Sequence, residues 1–177
     1  MPADAVSSNQ RHSQFPSRKR IEMKPNQLEG LNRIDFVSCQ SKLVGNFYCP
    51  PSFTSDGRYS AIVAAGPLGT VKEQAAGVFA DKLARKGFIT LAFDFRTQGE
   101  SEGNPPNYEN PFNKSEDLQN AVSYLRSMDC VDPERVGVVG ICAGGSYCVH
   151  AAVSDRRIKA LATVNGYLSL REFVGYN

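Results

Sequence analysis

The chain has 177 residues, of which 41% are hydrophobic and 21% charged, proportions typical of one globular domain with a real core. Its net charge of +2 is misleading because residues 1–27 alone carry +3, from five basic and two acidic side chains. The rest of the chain is about neutral, which argues against a nucleic-acid-binding face, since phosphate binding needs clustered positive charge.

Residues 1–27 come first and are predicted to be a disordered basic tail. The basic run 16–20 is also compatible with a weak nuclear signal or part of a transit peptide. No apolar run approaches the ~18 residues that span a membrane, and no charged start leads into an apolar export segment. The sequence therefore predicts a cytoplasmic protein without a membrane partner.

The first predicted elements of the domain are strands. Residues 33–39 and 42–48 indicate two short strands of a hairpin, and Pro50 and Pro51 end the second. Residues 60–65, Ser-Ala-Ile-Val-Ala-Ala, are a short apolar run flanked by turn signals, which is typical of a strand buried on both faces. The segment 66–70, Gly-Pro-Leu-Gly-Thr, then predicts a turn.

A helix, a strand and a long loop follow. Apolar residues recur at helical spacing over 71–86, and Gly87 suits the stop position. Residues 88–95 predict another buried strand. Residues 96–112 are rich in Gly, Pro, Asn and Glu, which predicts a loop.

The second half of the domain repeats the alternation. Ser115 is a candidate cap for a helix with an apolar face at Leu118, Ala121, Val122 and Leu125. Strands are predicted at 136–139 and 158–164, with a helix between them. Alternating strands and helices predict an α/β fold, a doubly wound, mostly parallel sheet with helices on both faces.

Residues 140–144 read Gly-Ile-Cys-Ala-Gly between the predicted strand and helix, the pattern of a nucleophile elbow with cysteine in place of serine. Such an elbow holds its nucleophile on a strained backbone, so the residues two before and two after it must be small. Gly140 and Gly144 meet that demand. Cys142 is therefore the predicted catalytic nucleophile.

The chemistry expected at Cys142 follows from its position at the amino end of a helix. The helix dipole and free backbone N–H groups favour a thiolate, which is a strong nucleophile. The N–H of Ala143 is one predicted oxyanion donor. The N–H of Leu68 in the 66–70 turn is the second, because Pro67 has no N–H to offer.

The histidines and the cysteines other than Cys142 do not indicate a further functional site. The chain has two histidines, His12 in the tail and His150 in the helix after the elbow, and neither is placed to act as a general base. The five cysteines form no CxxC pair and have no histidine partner at metal spacing. No metal, no cofactor and no disulfide framework is predicted.

Six segments, in this order, resemble the α/β-hydrolase superfamily, most closely its dienelactone-hydrolase-like and peptidase-like branch: 71–76, 93–96, 99–103, 107–111, 131–135 and 140–145. The likeness runs from about Arg33 to Gly166 and covers the first half to two-thirds of that fold. It implies that Asp94, Arg96 and Ser101 brace a loop. Thr97 stands where the family usually has glycine.

The resemblance implies a hydrolase or thioesterase that acts on an ester, lactone or thioester of a small molecule through an acyl-Cys142 intermediate. An acyltransferase or thiohydrolase of polyketide-type secondary metabolism is one alternative, and a non-catalytic, truncated hydrolase-like protein is another. In this fold the acid and histidine of the triad follow later strands. Residues 28–177 are therefore expected to be the amino-terminal portion of an α/β-hydrolase domain, with its carboxyl-terminal part absent.

The predicted strand at 158–164 would then form an open, apolar sheet edge. Open edges pair readily with other strands. The sequence predicts self-association or capture of a partner protein at this edge.

Overall fold

The structure is a computed structural model that describes residues 30–166; the predicted tail at 1–27 lies outside the described residues. Within that range the chain forms six strands and three helices. Their bounds are β1 (Leu31–Ser38), β2 (Ser41–Tyr48), β3 (Tyr59–Ala65), α1 (Ala75–Ala84), β4 (Ile89–Phe93), α2 (Pro111–Arg126), β5 (Val131–Ile141), α3 (Ala143–Ser154) and β6 (Ala160–Val164).

The strands form one sheet in the order β1-β2-β4-β3-β5-β6. β1 and β2 are an antiparallel hairpin, and β2 pairs antiparallel with β4. The remaining neighbours pair in parallel, so that β3, β4, β5 and β6 all point the same way. The predicted fold class is confirmed, and the carboxyl ends of the four parallel strands meet at one edge, where ligands bind in such sheets.

Helices cover both faces of the sheet. The larger core cluster packs apolar side chains of α2 and α3 against one face, with fully buried Phe47, Leu91 and Leu118 among its members. The smaller cluster packs Ala76 and Ala80 of α1 against the other face. All five residues of β4 are buried, and four of them are apolar, which reflects this double cover; the fifth, Thr90, donates its hydroxyl to the carbonyl of Ala80 on α1 at 2.8 Å.

The start of α2 corrects the sequence prediction. The helix begins at Pro111 with Asn110 as its cap, and the Asn110 Oδ1 accepts from the backbone N–H of Phe112 at 3.0 Å and of Asn113 at 3.2 Å. Ser115 lies inside the helix, one turn after its start, where its hydroxyl donates to the carbonyl of Pro111 at 2.9 Å. Asparagine followed by proline is the stronger start signal, because proline fits the first helical position and asparagine satisfies free N–H groups.

Two other elements differ in length from the predicted ones by more than three residues. The helix expected at 71–86 is shorter, Ala75–Ala84, and a series of turns fills 72–74. The elbow strand is longer than expected, since β5 runs from Val131 to Ile141. None of the helices between residues 30 and 166 combines the length and the apolar composition that crossing a bilayer requires.

Candidate active site

Cys142 occupies the sharp turn between β5 and α3. Its backbone has φ +54° and ψ −122°, a conformation that L-residues rarely adopt. The turn is fixed on both sides, because the Cys142 N–H donates to the Val164 carbonyl at 3.0 Å and its carbonyl accepts from the Gly145 N–H at 2.9 Å. The strained backbone that the sequence predicted is present, and the thiol is half-buried at the carboxyl edge of the sheet.

The two flanking glycines are required by close backbone contacts. A Cβ at Gly144 would lie 2.5 Å from the carbonyl oxygens of both Ala65 and Gly66. A Cβ at Gly140 would overlap the carbonyl of Gly144. Ordinary van der Waals contact needs about 1 Å more. The absence of side chains at these positions therefore lets α3 start directly against the end of β3.

The contact at Gly144 also brings the 66–70 turn to the elbow. The turn is closed by Thr70, whose hydroxyl donates to the Pro67 carbonyl at 2.8 Å. Neither the N–H of Leu68 nor the N–H of Ala143 donates to an acceptor among residues 30–166. Both predicted oxyanion donors are thus unpaired within the described part of the chain, one on each of the two segments that meet at Gly144.

Asp94, directly after β4, has the structural role that the resemblance implied. Its fully buried carboxylate accepts from the Glu100 N–H at 3.0 Å, and its carbonyl accepts from the Ser101 hydroxyl at 2.6 Å. Both bonds fold the following loop back onto β4. Asp94 therefore acts as a loop anchor, as predicted.

Arg96 braces the same loop against α2. Its Nε donates to the buried Asp117 carboxylate at 2.8 Å, and a second nitrogen donates to Glu116 at 2.8 Å. Burial would lower the pKa of Arg96, but the hydrogen bonds to Asp117 and Glu116 and the charge of Asp117 outweigh it and raise that pKa. Thr97, at the family's glycine position, has φ +74°, and its hydroxyl donates to the Tyr108 carbonyl at 2.9 Å.

A polar network beside the elbow was missed by the sequence reasoning. The hydroxyl of Tyr147 on α3 donates to the Glu109 carboxylate, which also accepts from Gln98 at 3.0 Å and pairs with Lys114 at 3.3 Å. Lys114 is 2% exposed, and its ammonium lies 4.6 Å from the centre of the Phe95 ring. The network joins the 94–110 loop and the start of α2 to the helix that carries Cys142.

Burial shifts the pKa values of two side chains in this network. Burial, the Glu109 hydrogen bond and the Glu109 charge, with a smaller contribution from Cys142, raise the pKa of Tyr147 far above its ordinary value. Burial lowers the pKa of Lys114, against the opposing effect of Glu109. In the sequence, the only sign of this network was the stretch 107–111, which contains Glu109 and contributed to the family resemblance. That stretch did not indicate a contact with Tyr147.

The remaining cysteines and the histidine lie away from the elbow. Cys39 is exposed at the β1-β2 turn, whereas Cys49, Cys130 and Cys148 are buried, and burial raises the pKa of all three. His150 is exposed on α3, where its ring meets Phe112 edge to face at 5.3 Å. No group of three or more His, Cys, Asp or Glu side chains suited to a metal ion occurs in the described range.

The sequence of the chain matches that of a known protein family. Residues 52–172 match the dienelactone hydrolase family. The chain belongs to the dienelactone hydrolase family. The predicted likeness to the dienelactone-hydrolase-like branch of the α/β-hydrolases is therefore confirmed.

Three relatives illustrate this membership. The uncharacterised protein YcjY of Escherichia coli strain K12 is 45% identical over 137 residues, which are 76% of this chain and 45% of that protein. Thiohydrolase aneE of Aspergillus aculeatus is 30% identical over 80% of this chain and 43% of its own length. A crystal structure of the hypothetical protein PA2218 from Pseudomonas aeruginosa aligns with a TM-score of 0.76 and 35% identity, covering 89% of this chain and 49% of that one.

The chain thus spans less than half the length of each of these three relatives. It corresponds to a partial α/β-hydrolase fold, as the sequence predicted. The part that is present contains the elbow and the 66–70 turn.

Proposed function

We propose that this chain carries the acyl-accepting part of a hydrolase that transfers an acyl group from an ester, lactone or thioester to water through Cys142. The observation that carries the proposal is the strained backbone of Cys142, with φ +54°, between a buried strand and the amino end of a helix. Strain of this kind persists where the surroundings hold a functional side chain in place. Membership of a family of hydrolases supports the reaction class.

Acylation would proceed in two steps at the elbow. The Cys142 thiolate forms a bond to the substrate carbonyl carbon, and the electron pair of that carbonyl moves to its oxygen. The N–H groups of Ala143 and Leu68 would donate to this oxyanion. The carbonyl re-forms as the bond to the leaving alkoxide or thiolate breaks, which leaves an acyl-cysteine.

Deacylation makes a further demand. Water must attack the acyl-cysteine and lose a proton, a step that general bases accelerate by roughly 10²–10⁴-fold. Among residues 30–166 the one histidine, His150, lies exposed against Phe112. We therefore expect this chain by itself to accumulate the acyl form more readily than to turn it over.

A thioester is the first substrate class to test. Thiolates are good leaving groups, and a thioester exchanges with a cysteine without a large change in bond energy. The relative named as a thiohydrolase supports the same choice. A small acyl thioester is therefore a suitable probe.

The experiment is intact-mass spectrometry of the chain after mixing with an acyl thioester, followed by peptide mapping. We expect one acyl group per chain, attached to Cys142, and none after Cys142→Ala. Cys39→Ala is the matched control, because Cys39 is the one other thiol that the structure describes as accessible. A folded chain that remains unacylated, or is acylated equally at Cys39, would contradict the proposal.

Product analysis separates two outcomes for the acyl-enzyme. Hydrolysis releases the free acid, whereas an added alcohol or amine acceptor would release an ester or amide if the chain is an acyltransferase. The elbow is common to both reactions. A ratio of products that follows the acceptor concentration would favour the acyltransferase alternative.

A second role is supported by β6. It is the last strand of the sheet within the described residues, it pairs with β5 alone, and all five of its residues are exposed. Leu161 is 42% and Val164 36% exposed. An exposed edge of this kind would pair with a strand of a partner protein or of a second copy of the chain.

Sedimentation velocity at several concentrations tests the edge. Leu161→Lys or Thr163→Lys should abolish association, while Cys142→Ala should leave it unchanged. Val153→Lys is the matched control, because Val153 is an exposed apolar residue of α3 at 83% exposure. Association that survives both β6 substitutions, or a chain that is monomeric at every concentration, would contradict this second role.

A further inference from the structure

Lys72, two residues after the 66–70 turn, is buried to an unusual degree for a lysine. It is 2% exposed, and its ammonium contacts three carboxylates: Asp94 at 2.8 Å, Glu100 at 2.6 Å and Glu73 at 2.8 Å. Burial by itself would lower the pKa of Lys72, but the hydrogen bonds to these carboxylates outweigh it and raise that pKa. Lys72 is therefore a buried cation held in place from three sides.

The backbone of Lys72 is held as well. Its N–H donates to the Asp94 carboxylate at 2.7 Å. Its carbonyl lies so close to Gly77 of α1 that a Cβ there would overlap it. One residue thus ties the segment after β3 to the end of β4 and to the first helix.

The 66–70 turn is consequently held at both ends. At its start, Gly66 and Ala65 present their carbonyls to Gly144, at the beginning of α3. At its end, Lys72 is fixed to Asp94, which also accepts from the N–H of Glu100. Leu68, between the two anchors, is 41% exposed, and apolar packing alone therefore does not fix it.

An oxyanion donor must keep its direction to within a fraction of an ångström, because displacement of about 1 Å can cost roughly 100-fold in rate. Because Leu68 is exposed, the position of the 66–70 turn must be fixed by polar contacts at its ends. Resting on the proposed function, we propose that Lys72 is a positioning residue, which holds the 66–70 turn so that the Leu68 N–H faces the carbonyl oxygen of an acyl group at Cys142.

Two reactions of the same thiol separate this role from a purely structural one. Acylation by a thioester passes through a tetrahedral oxyanion and needs the Leu68 N–H. Alkylation by iodoacetamide is a direct displacement of iodide by the thiolate and develops no oxyanion. Both rates are measured at Cys142 by intact mass and peptide mapping, on a Cys39→Ala background.

For Lys72→Met we expect acylation of Cys142 to slow by about 10- to 100-fold. The alkylation rate should stay within about twofold, since the elbow itself is unchanged. Glu100→Gln, which changes a partner whose side chain is 53% exposed, should slow acylation by a smaller factor. If Lys72→Met does not fold, as judged by its thermal transition, the Glu100→Gln rates decide.

Arg157→Met is the matched control. Arg157 pairs at 2.6 Å with Asp155, whose side chain is 8% exposed, after the far end of α3. This variant also breaks an ion pair of a largely buried carboxylate, and both of its rates should equal those of the parent. The inference would be overturned if the folded Lys72 or Glu100 variant were acylated as fast as the parent. It would also be overturned if acylation and alkylation slowed by the same factor.

Failure of the proposed function has a different signature. If the parent chain is not acylated at Cys142 at all, the proposed reaction fails and the positioning role falls with it. If the parent is acylated and the variants match it, only the role of Lys72 fails.

Discussion

Gly144→Ala tests the steric reason for the elbow. The added Cβ would lie 2.5 Å from two backbone carbonyl oxygens, those of Ala65 and Gly66. That is about 1 Å short of ordinary contact, and backbone atoms at the end of a buried strand cannot rotate away. Overpacking of this kind costs about 1–3 kcal/mol, against a gain of about 1 kcal/mol from alanine in a helix. We expect a net loss of up to about 2 kcal/mol.

The same clash moves the nucleophile. To relieve it, the start of α3 must shift away from β3 and carry Cys142 with it, so acylation should slow by at least about tenfold. Urea denaturation gives the free energy of unfolding, and intact-mass kinetics with an acyl thioester gives the acylation rate.

Gly145→Ala is the control, one residue further along the same helix. Its nearest contacts would be 3.0 Å to Gly166 and 3.4 Å to Thr163, so its steric cost is smaller and the helical gain offsets it. The reasoning is refuted if Gly144→Ala matches the parent in both stability and acylation rate, or if the two alanine variants behave alike.

Three further predictions concern the supports of the site. Arg96→Met leaves the Asp117 carboxylate, which is 0% exposed, without its cation, and should lower the free energy of unfolding in urea by about 3–5 kcal/mol; a loss below about 1 kcal/mol would contradict the ion-pair reading. Asn110→Ala removes the cap of α2 and should cost about 1 kcal/mol in the same assay, whereas Asn110→Asp should keep most of the stability, because a carboxylate caps equally well. The bonds from Arg157 hold the pKa of Asp155 below its ordinary 3.8, so its stabilising contribution is present above that pH and is lost as pH falls through the folded value. In thermal melts from pH 6 to pH 2 the stability difference between the parent and Asp155→Asn should therefore shrink below about pH 4, and a constant difference would count against it.

The features that the sequence determined are local ones. Gly140, Cys142 and Gly144 lie within five residues, so the elbow pattern can be recognised locally, although the carbonyls that exclude a Cβ at Gly144 belong to Ala65 and Gly66 at the end of β3. The alternation of apolar strands and helices is likewise a short-range pattern, and it predicted the fold class and both helical layers. The elbow conformation at Cys142 could therefore be predicted before any tertiary contact was known.

The boundaries were harder to predict where two local signals compete. Ser115 and Asn110 are both good caps, five residues apart, and the helix begins at Pro111 with Asn110 as its cap, because proline fits the first helical position. Likewise the sequence predicts a helix over 71–86, yet the backbone N–H of Lys72 donates to Asp94 and the helix begins only at Ala75, where the helically spaced apolar residues also begin. In both cases the residues that decide the boundary, Asn110 and Pro111 in one and Lys72 in the other, are not part of the periodic apolar pattern.

Only the tertiary structure showed what holds the site together. Lys72 bonds to Asp94 and Glu100, which lie 22 and 28 residues further along the chain. Glu109 bonds to Tyr147, which lies 38 residues further along. In the sequence each of these is an ordinary polar residue in a loop or on a helix. Their contacts follow from the convergence of several strand ends at one edge of the sheet, and that convergence is set by strand order, which no local pattern contains.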